Sequence, residues 1–455
     1  MSSIRITRHM FEMIRNELFR HAPKEAACFL LAGVFETDKG VHFTVRELMY
    51  PTGSDYDVQE DLSLQVSPVY FNRVISRAER ENLAVIMCHS HPFSKQKPKY
   101  SWSDNHGESI SARTLHDCLS GKPVGSILLG KDTIAARVWK DPGRAPAPVD
   151  ELRILGRHFA IKYVNNGRKD HGAVDSDVYA RQVLAFGEDG QRFLSNLRVG
   201  IVGVGGTGSC VAEGLARLGA EDFVLIDKDV MEPSNITRMF GTYRADASGH
   251  DPHDKVALIK RNIENIQPSA RVVAVRADAL SSRALISLKT CDVVFSCVDR
   301  HAPRSIINEL AYQCFIPVVD IGVGLGAADG RIEGGSVRAS IVGPGLPCMY
   351  CQGFIRSDII AAETLPAEER ETRRKEGYIP GITEAPSVIS FTTMAGGLGM
   401  SLFLDLLFDY MNSEVPSFLI ELHPPRLGRV ATLRLSDCVC LQREGRGDYF
   451  PFSTA

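Results

Sequence analysis

Residues 197–227, LRVGIVGVGGTGSCVAEGLARLGAEDFVLID, decide the fold. An apolar run ends at Val202 and Gly203-x-Gly205-x-x-Gly208 follows, with Gly206 inside the loop. A helical stretch leads to Leu218, and a second apolar run ends at Asp227. Glycines let a backbone approach a phosphate, and the N-terminus of the following helix attracts negative charge. Asp227 stands 19 residues beyond Gly208, where an acid can hold a ribose hydroxyl. Alone, this is a dinucleotide fingerprint, and an NAD-dependent oxidoreductase competes for it.

The pattern continues outward. RVVAVRA, CDVVFSCVD and IPVVDIGVG are further short apolar runs, separated by helical stretches at 255–266 and 303–314. Strands alternating with helices predict an α/β domain with a largely parallel sheet covered on both faces. The continuation DKDVMEPSNITRMF (227–240) adds Asp229, Asn235 and Arg238 at the pocket edge. Lys255 opens the next helix, and Asp299 ends CDVVFSCVD. Cations facing a phosphate chain, with an acid able to hold magnesium, suit nucleotidyl transfer from ATP better than hydride transfer. Arg238 and Lys255 then hold the triphosphate, Asp299 binds Mg2+, and the α-phosphate is the electrophile.

Upstream, Met10, Ile14 and Phe19 predict an amphipathic helix over 8–20. CFLLAGVF (28–35) and VHFTVREL (41–48) are strands about a turn at Asp38–Gly40, and 68–82 is a second helix. The buried strand LAVIMCHSHP (83–92) ends in His89-Ser90-His91. Asp104 follows in Ser101-Trp102-Ser103-Asp104, and Glu25 precedes the first strand. Two His and one Asp leave the fourth position of a zinc ion to water, the arrangement of a catalytic site. Glu25, not itself a ligand, serves as general base and then protonates a leaving amine. Ser101 offers a hydroxyl to the oxyanion.

The set E…HSHP…SxxD resembles the JAMM motif of the JAB/MPN metallopeptidases over residues 1–140. That resemblance implies removal of ubiquitin-like proteins from lysine side chains, or trimming of their precursors. Nine residues separate His91 from Ser101, where that family usually has seven; the added Lys-Gln-Lys-Pro-Lys stretch is a basic surface loop or a substrate contact. Residues 178–440 resemble the ubiquitin-activating-enzyme superfamily, the ThiF/MoeB-like adenylyltransferases. The likeness rests on VYARQ (178–182), GVGGTGS (203–209), DKDVMEPSNITR, Lys255, SCVDRHAPR and CMYC. It implies a Rossmann-like domain that adenylates the C-terminal glycine of a ubiquitin-like protein. Carried over, Asp227 binds ribose, Asn235, Arg238 and Lys255 contact phosphates, and Asp299 is the magnesium aspartate, although Arg300 replaces the usual Asn. Arg181 matches an arginine that reaches into the partner's nucleotide site, which implies a homodimer.

Cys348-x-x-Cys351 and Cys438-x-Cys440 supply four thiolates for a closed structural zinc site, with buried free thiols as the alternative. Members that form a thioester carry a cysteine about a dozen residues after the first pair; no cysteine occurs from 352 to 437 here. The activated carrier therefore passes to a conjugating enzyme's cysteine or to a sulfur donor.

Bulk properties fit. The 455 residues exceed a typical domain, 44% are hydrophobic and 24% charged, and the net charge is −3, which excludes disorder and a generally basic nucleic-acid binder. Eleven cysteines, an odd number, suit a reducing cytoplasm rather than a secreted framework. The uncharged stretch 385–404 is interrupted by Gly and Ser/Thr and predicts a buried helix or subunit interface, not a membrane span. DPGRAPAPV (141–149), with three prolines, marks a connector, giving a peptidase domain at 1–140, a linker at 141–177 and an adenylation domain at 178–455. The expectation is a bifunctional enzyme of a bacterial ubiquitin-like conjugation system, with a possible link to antiphage defence. Activation of a sulfur carrier and a non-catalytic binding scaffold are the alternatives.

Overall fold

The computed structural model describes residues 1–94, 97–164, 174–248, 253–375, 386–411, 416–430 and 433–452. Lys95 and Gln96 of the basic loop, 165–173 of the connector and the end of the charged stretch 358–376 lie outside the described residues. The chain forms two compact units. The first comprises 1–168 with Tyr312–Phe315 and Arg443–Pro451, and the second the remainder.

The first unit contains β1 (Ser3–Thr7), α1 (Arg8–Arg20), β2 (Ala27–Thr37), β3 (Gly40–Met49), β4 (Tyr56–Gln59), β5 (Leu64–Val66), α2 (Pro68–Glu81), β6 (Ala84–Ser90), α3 (Trp102–Cys118), β7 (Val124–Leu129), β8 (Ile134–Trp139), β9 (Ala147–Pro148), β10 (Glu151–Leu155) and β11 (Ala160–Tyr163). Nine strands form one mixed sheet in the order β11-β10-β1-β3-β2-β6-β7-β8-β9. Strand β2 shows why it reads as one apolar run. Cys28, Leu30 and Ala32 face one core with α1, while Ala27, Phe29 and Leu31 face a second core with α2 and α3. Both faces are covered, so the period-2 pattern disappears. Helix α1 buries Phe11, Ile14 and Leu18, one residue off the predicted stripe, with Met10 and Phe19 at its margin. The predicted linker needs correction. Strands β9–β11 occupy 147–163, and β10 pairs with β1 in parallel, a partner about 150 residues away that a local proline count cannot reveal.

The second unit contains α4 (Ser176–Ser195), β12 (Arg198–Val202), α5 (Gly206–Arg217), β13 (Asp222–Asp227), α6 (Lys255–Ile266), β14 (Arg271–Arg276), α7 (Ser282–Lys289), β15 (Val293–Ser296), α8 (His301–Gln313), β16 (Val318–Ala328), β17 (Arg331–Val342), α9 (Ser357–Thr364), α10 (Ala367–Lys375), α11 (Ile389–Phe408), β18 (Ser417–Leu422), β19 (Pro425–Arg429) and α12 (Val439–Arg443). Its sheet runs β14-β13-β12-β15-β16-β17-β18-β19. The first five are parallel and the last three antiparallel, so the parallel part is a doubly wound core extended by a meander. Strand order reverses between β12 and β15, and ligands of such sheets bind beyond the carboxyl ends of the strands at that switch point. Helix α11 alone among the described residues is long and apolar enough to cross a membrane. It packs on α5, β16 and β17, burying Ala395, Gly396, Gly399, Leu402 and Phe403.

Candidate functional site

Three groups of side chains are candidates for chemistry, two in the second unit and one in the first. In the second unit the glycine loop leaves β12 at the switch point. Gly203 takes a left-handed φ of +83°, and its amide donates to Ile226 O at 2.8 Å. A Cβ on Gly208 would lie 1.8 Å from Gly203 O, so only glycine closes this turn. Helix α5 begins at Gly206 and points its free N–H groups at the sheet edge. Asp227, at the end of β13, accepts from Val204 N at 2.8 Å and Asp229 N at 2.9 Å. Burial raises its pKa above the ordinary range. The carboxylate thus braces the loop from below.

Lys255, first residue of α6, donates Nζ to Asp229 Oδ2 at 3.2 Å. Arg238 lies along Gly206, since a Cβ there would meet Arg238 Cγ at 3.3 Å. Asn235 is buried, and its Oδ1 accepts from Glu232 N at 3.1 Å. Asp299 is exposed three residues beyond β15, the neighbour of β12. These residues share one sheet edge, with cations and anions arrayed about an N-terminal helix dipole.

Arg181 stands apart from them. It is exposed on α4; its neighbour Gln182 donates to Arg217 O, 2.9 Å away, at the far end of α5. That 12-residue helix is about 18 Å long.

One residue here was missed by local reading. Glu363 on α9 caps α8, accepting from His301 N at 3.1 Å and Ala302 N at 2.8 Å. Arg300 Nη2 donates to Glu363 O at 3.2 Å. The unusual arginine after Asp299 therefore has its partner in the crossing segment, some 60 residues on, where spacing carries no signal.

In the first unit, β6 delivers His89 opposite Ala27 of β2, which brings Glu25 alongside. His89 Nε2 lies 3.3 Å from Asp104 Oδ1, His91 Nε2 3.6 Å from Asp104 Oδ2, and His91 Nε2 3.3 Å from Glu25 Oε1. Tetrahedral ligands roughly 2.1 Å from one zinc sit about 3.4 Å apart, so the His–Asp spacings fit a shared ion. His89 Nε2 is shielded from solvent and, apart from its 3.3 Å approach to Asp104 Oδ1, makes no well-aligned hydrogen bond among the described residues, which fits a ring nitrogen turned to a metal. Burial pushes Glu25 up to about 7. Although burial opposes it, His89 and the Ser101 amide hold Asp104 well below the carboxylate range, and burial lowers His91. Ser101 is the N-cap of α3; its Oγ accepts from Asp104 N at 3.1 Å while Asp104 Oδ2 accepts from Ser101 N at 2.6 Å. The hydroxyl is therefore a cap first, and it also shares a hydrogen bond with Ser103 Oγ at 2.8 Å.

Cys348, Cys351, Cys438 and Cys440 converge in the second unit, with all four sulfurs within 4.8 Å of one another. Cys348 Sγ lies 3.6 Å from Cys351 Sγ and 3.4 Å from Cys438 Sγ, close to the roughly 3.8 Å of tetrahedral thiolates at about 2.3 Å from zinc. Hydrogen bonding from Cys348, ahead of Arg434, brings the Cys440 thiol down to about 5.

Comparison with known proteins follows this geometry. A model of the ThiF family matches residues 179–440, more than half of the chain. Molybdopterin-synthase adenylyltransferase of Escherichia coli strain K12 is 31% identical over 175 residues, 38% of this chain and 66% of that protein. Ubiquitin-like modifier-activating enzyme 5 of Drosophila erecta is 28% identical over 264 residues, 51% of this chain and 61% of that one. The chain thus spans less than two thirds of the length of either relative. Among solved structures, Escherichia coli MccB with MccA aligns at a TM-score of 0.47 and 19% identity, over 59% of this chain and 75% of that chain.

Proposed function

This chain belongs to the ThiF family, and on that premise we propose that it is an ATP- and Mg2+-dependent adenylyltransferase acting on the C-terminal glycine of a ubiquitin-like protein, joined to a zinc (iso)peptidase acting on the same protein. The placement of Gly203–Gly208, Asp227, Lys255 and Asp299 along the switch-point edge carries the first activity. A carboxylate oxygen of the glycine attacks the α-phosphorus of ATP, the bond to the β-phosphate oxygen breaks, and pyrophosphate leaves. Asp227 holds the ribose, while Arg238 and Lys255 neutralise the phosphates, with Asn235 hydrogen-bonding beside them. Asp299 holds Mg2+, which supplies charge neutralisation for the departing pyrophosphate. Arg181, remote from its own loop, reaches the nucleotide of a second copy in a homodimer. With no cysteine from 352 to 437, the glycyl adenylate passes to a conjugating enzyme or a sulfur donor.

The grouping of His89, His91, Asp104 and Glu25 supports the second activity. Zinc held by the first three supplies Lewis acidity toward water and the scissile carbonyl. Glu25 takes a proton from the attacking water and returns it to the leaving nitrogen. Ser101 donates its hydroxyl proton to the oxyanion. The four cysteines hold a second, structural zinc. Both activities address one object, a tail ending in glycine, and favour a conjugation system in a reducing compartment, where the cysteines stay out of disulfides. A second reading, activation of a sulfur carrier, is supported by the likeness to an adenylyltransferase and sulfurtransferase of Caenorhabditis briggsae, 31% identical over 182 residues.

The test is a trap. Glu25→Gln protein is purified from its native host with ATP and magnesium, and co-purifying small proteins are weighed intact. A partner ending in glycine and heavier by one AMP is expected; captured conjugating enzymes or sulfur donors then separate the two readings. No AMP-bearing species, and no ATP–pyrophosphate exchange with any captured partner, overturns the adenylation.

A further inference from the structure

We infer that Arg137 is a positioning residue for the metal site of the first unit, holding the turn that presents Asp104. The inference rests on the zinc reading above and goes beyond it, because Arg137 touches none of His89, His91 or Glu25.

The first turn of α3 is a poor platform on its own. Ser101, Trp102, Ser103 and Asn105 are exposed, and the first N–H groups of any helix lack internal partners. The capping box orients the Asp104 carboxylate within the turn, but nothing in the box fixes the turn to the sheet that carries His89. Arg137, on β8, does so. Its Nη1 donates to Asn105 Oδ1 at 2.6 Å. Its Nε and Nη2 donate to the two oxygens of Glu108 at 2.9 and 2.8 Å. Its guanidinium carbon lies 3.6 Å from the centre of the Tyr100 ring. One planar cation therefore grips the residue before Ser101, the residue after Asp104 and the residue one turn farther on.

Glu108 is itself saturated. Trp139 Nε1 donates to Oε1 at 2.7 Å and Ser126 Oγ to Oε2 at 2.9 Å, and Tyr100 OH meets Ser126 Oγ at 3.0 Å. Bidentate Arg–carboxylate pairs fix direction as well as distance, and a buried pair stripped of one member leaves the other costly.

The experiment uses the full chain stripped of metal and titrated with cobalt(II), then with zinc against a competing chelator. Thiolate-to-cobalt charge transfer reports the cysteine cluster, and the visible d–d bands of a His/Asp site report the first unit. Arg137→Ala should weaken metal at the His/Asp site by roughly 10–100-fold and alter its d–d spectrum, while the thiolate signal is unchanged. Arg137→Lys restores the charge opposite Glu108 without the fork and should fall between. Should Arg137→Ala fail to fold, Asn105→Ala and Tyr100→Leu, which leave the Glu108 pair intact, should each weaken the same site several-fold. Affinity within about 3-fold of wild type in the folded Arg137→Ala protein, or in both of the milder variants, overturns the positioning role. A wild-type chain that shows the thiolate signal but binds no cobalt at His89, His91 and Asp104 overturns the zinc reading itself.

Discussion

Gly208 illustrates what a single residue decides. A methyl group there would meet the Gly203 carbonyl at 1.8 Å, a backbone group that cannot swing aside as the end of a flexible side chain can. Gly208→Ala should cost at least about 1–3 kcal/mol in denaturant unfolding and abolish ATP binding in calorimetry. Asp299→Ala should leave the fold intact and lower ATP–pyrophosphate exchange roughly 10²–10³-fold. Away from both sites, His42 is buried, bonded to Ser3 Oγ at 2.8 Å and Thr37 Oγ1 at 2.9 Å. Burial, then the Arg5 and Arg153 charges, keeps it well below its usual 6.5. It stays neutral in the fold but protonates in the unfolded chain, so its contribution is full above about pH 6.5. That contribution is lost as the pH falls through 6.5 toward the folded value, by up to about 1.4 kcal/mol per pH unit. His42→Gln should flatten this slope, measured as urea midpoints at about pH 7.5 and 5.5.

Elements were unevenly legible. Strand β12, its loop and α5 are continuous in the chain, so spacing alone places the glycines of the loop. Helix α11 is apolar all round, and hydropathy cannot tell a core helix from a span; packing on β16 and β17 is a tertiary fact. The cysteine cluster lies between. CxxC and CxC are visible as pairs, but their meeting depends on the chain returning through β18 and β19. If the four sulfurs share a zinc, Cys348→Ser should lower bound zinc from two ions to one per chain, measured by elemental analysis, and lower the melting temperature by several degrees.

At the scale of the molecule, the two proposed activities should separate cleanly. Glu25→Gln should abolish cleavage of a ubiquitin-like fusion and leave ATP–pyrophosphate exchange within about 2-fold, and Asp299→Ala should do the reverse. The first unit also draws on the far end of the chain. Gly33 N donates to Gly445 O at 2.9 Å, Asp448 N to Val34 O at 2.8 Å, and Arg446 pairs with Glu81 at 2.9 Å. Deleting residues 443–455 should therefore raise proteolysis of 1–168, read by mass spectrometry of the fragments.

Local chemistry made the sequence sufficient for much of this. The glycine loop, the His-Ser-His strand end and the Ser–Asp helix start each need residues only a few positions apart, and the trailing acid lies one helix and one strand on, so period and spacing reveal them. Folding decided the rest. The connector that became β9–β11, the Arg300–Glu363 pairing, the grip of Arg137 on α3 and the return of 443–451 to β2 join residues tens to hundreds of positions apart. Such contacts are chosen by what the folded core leaves unpaired, and no local pattern in the chain records that.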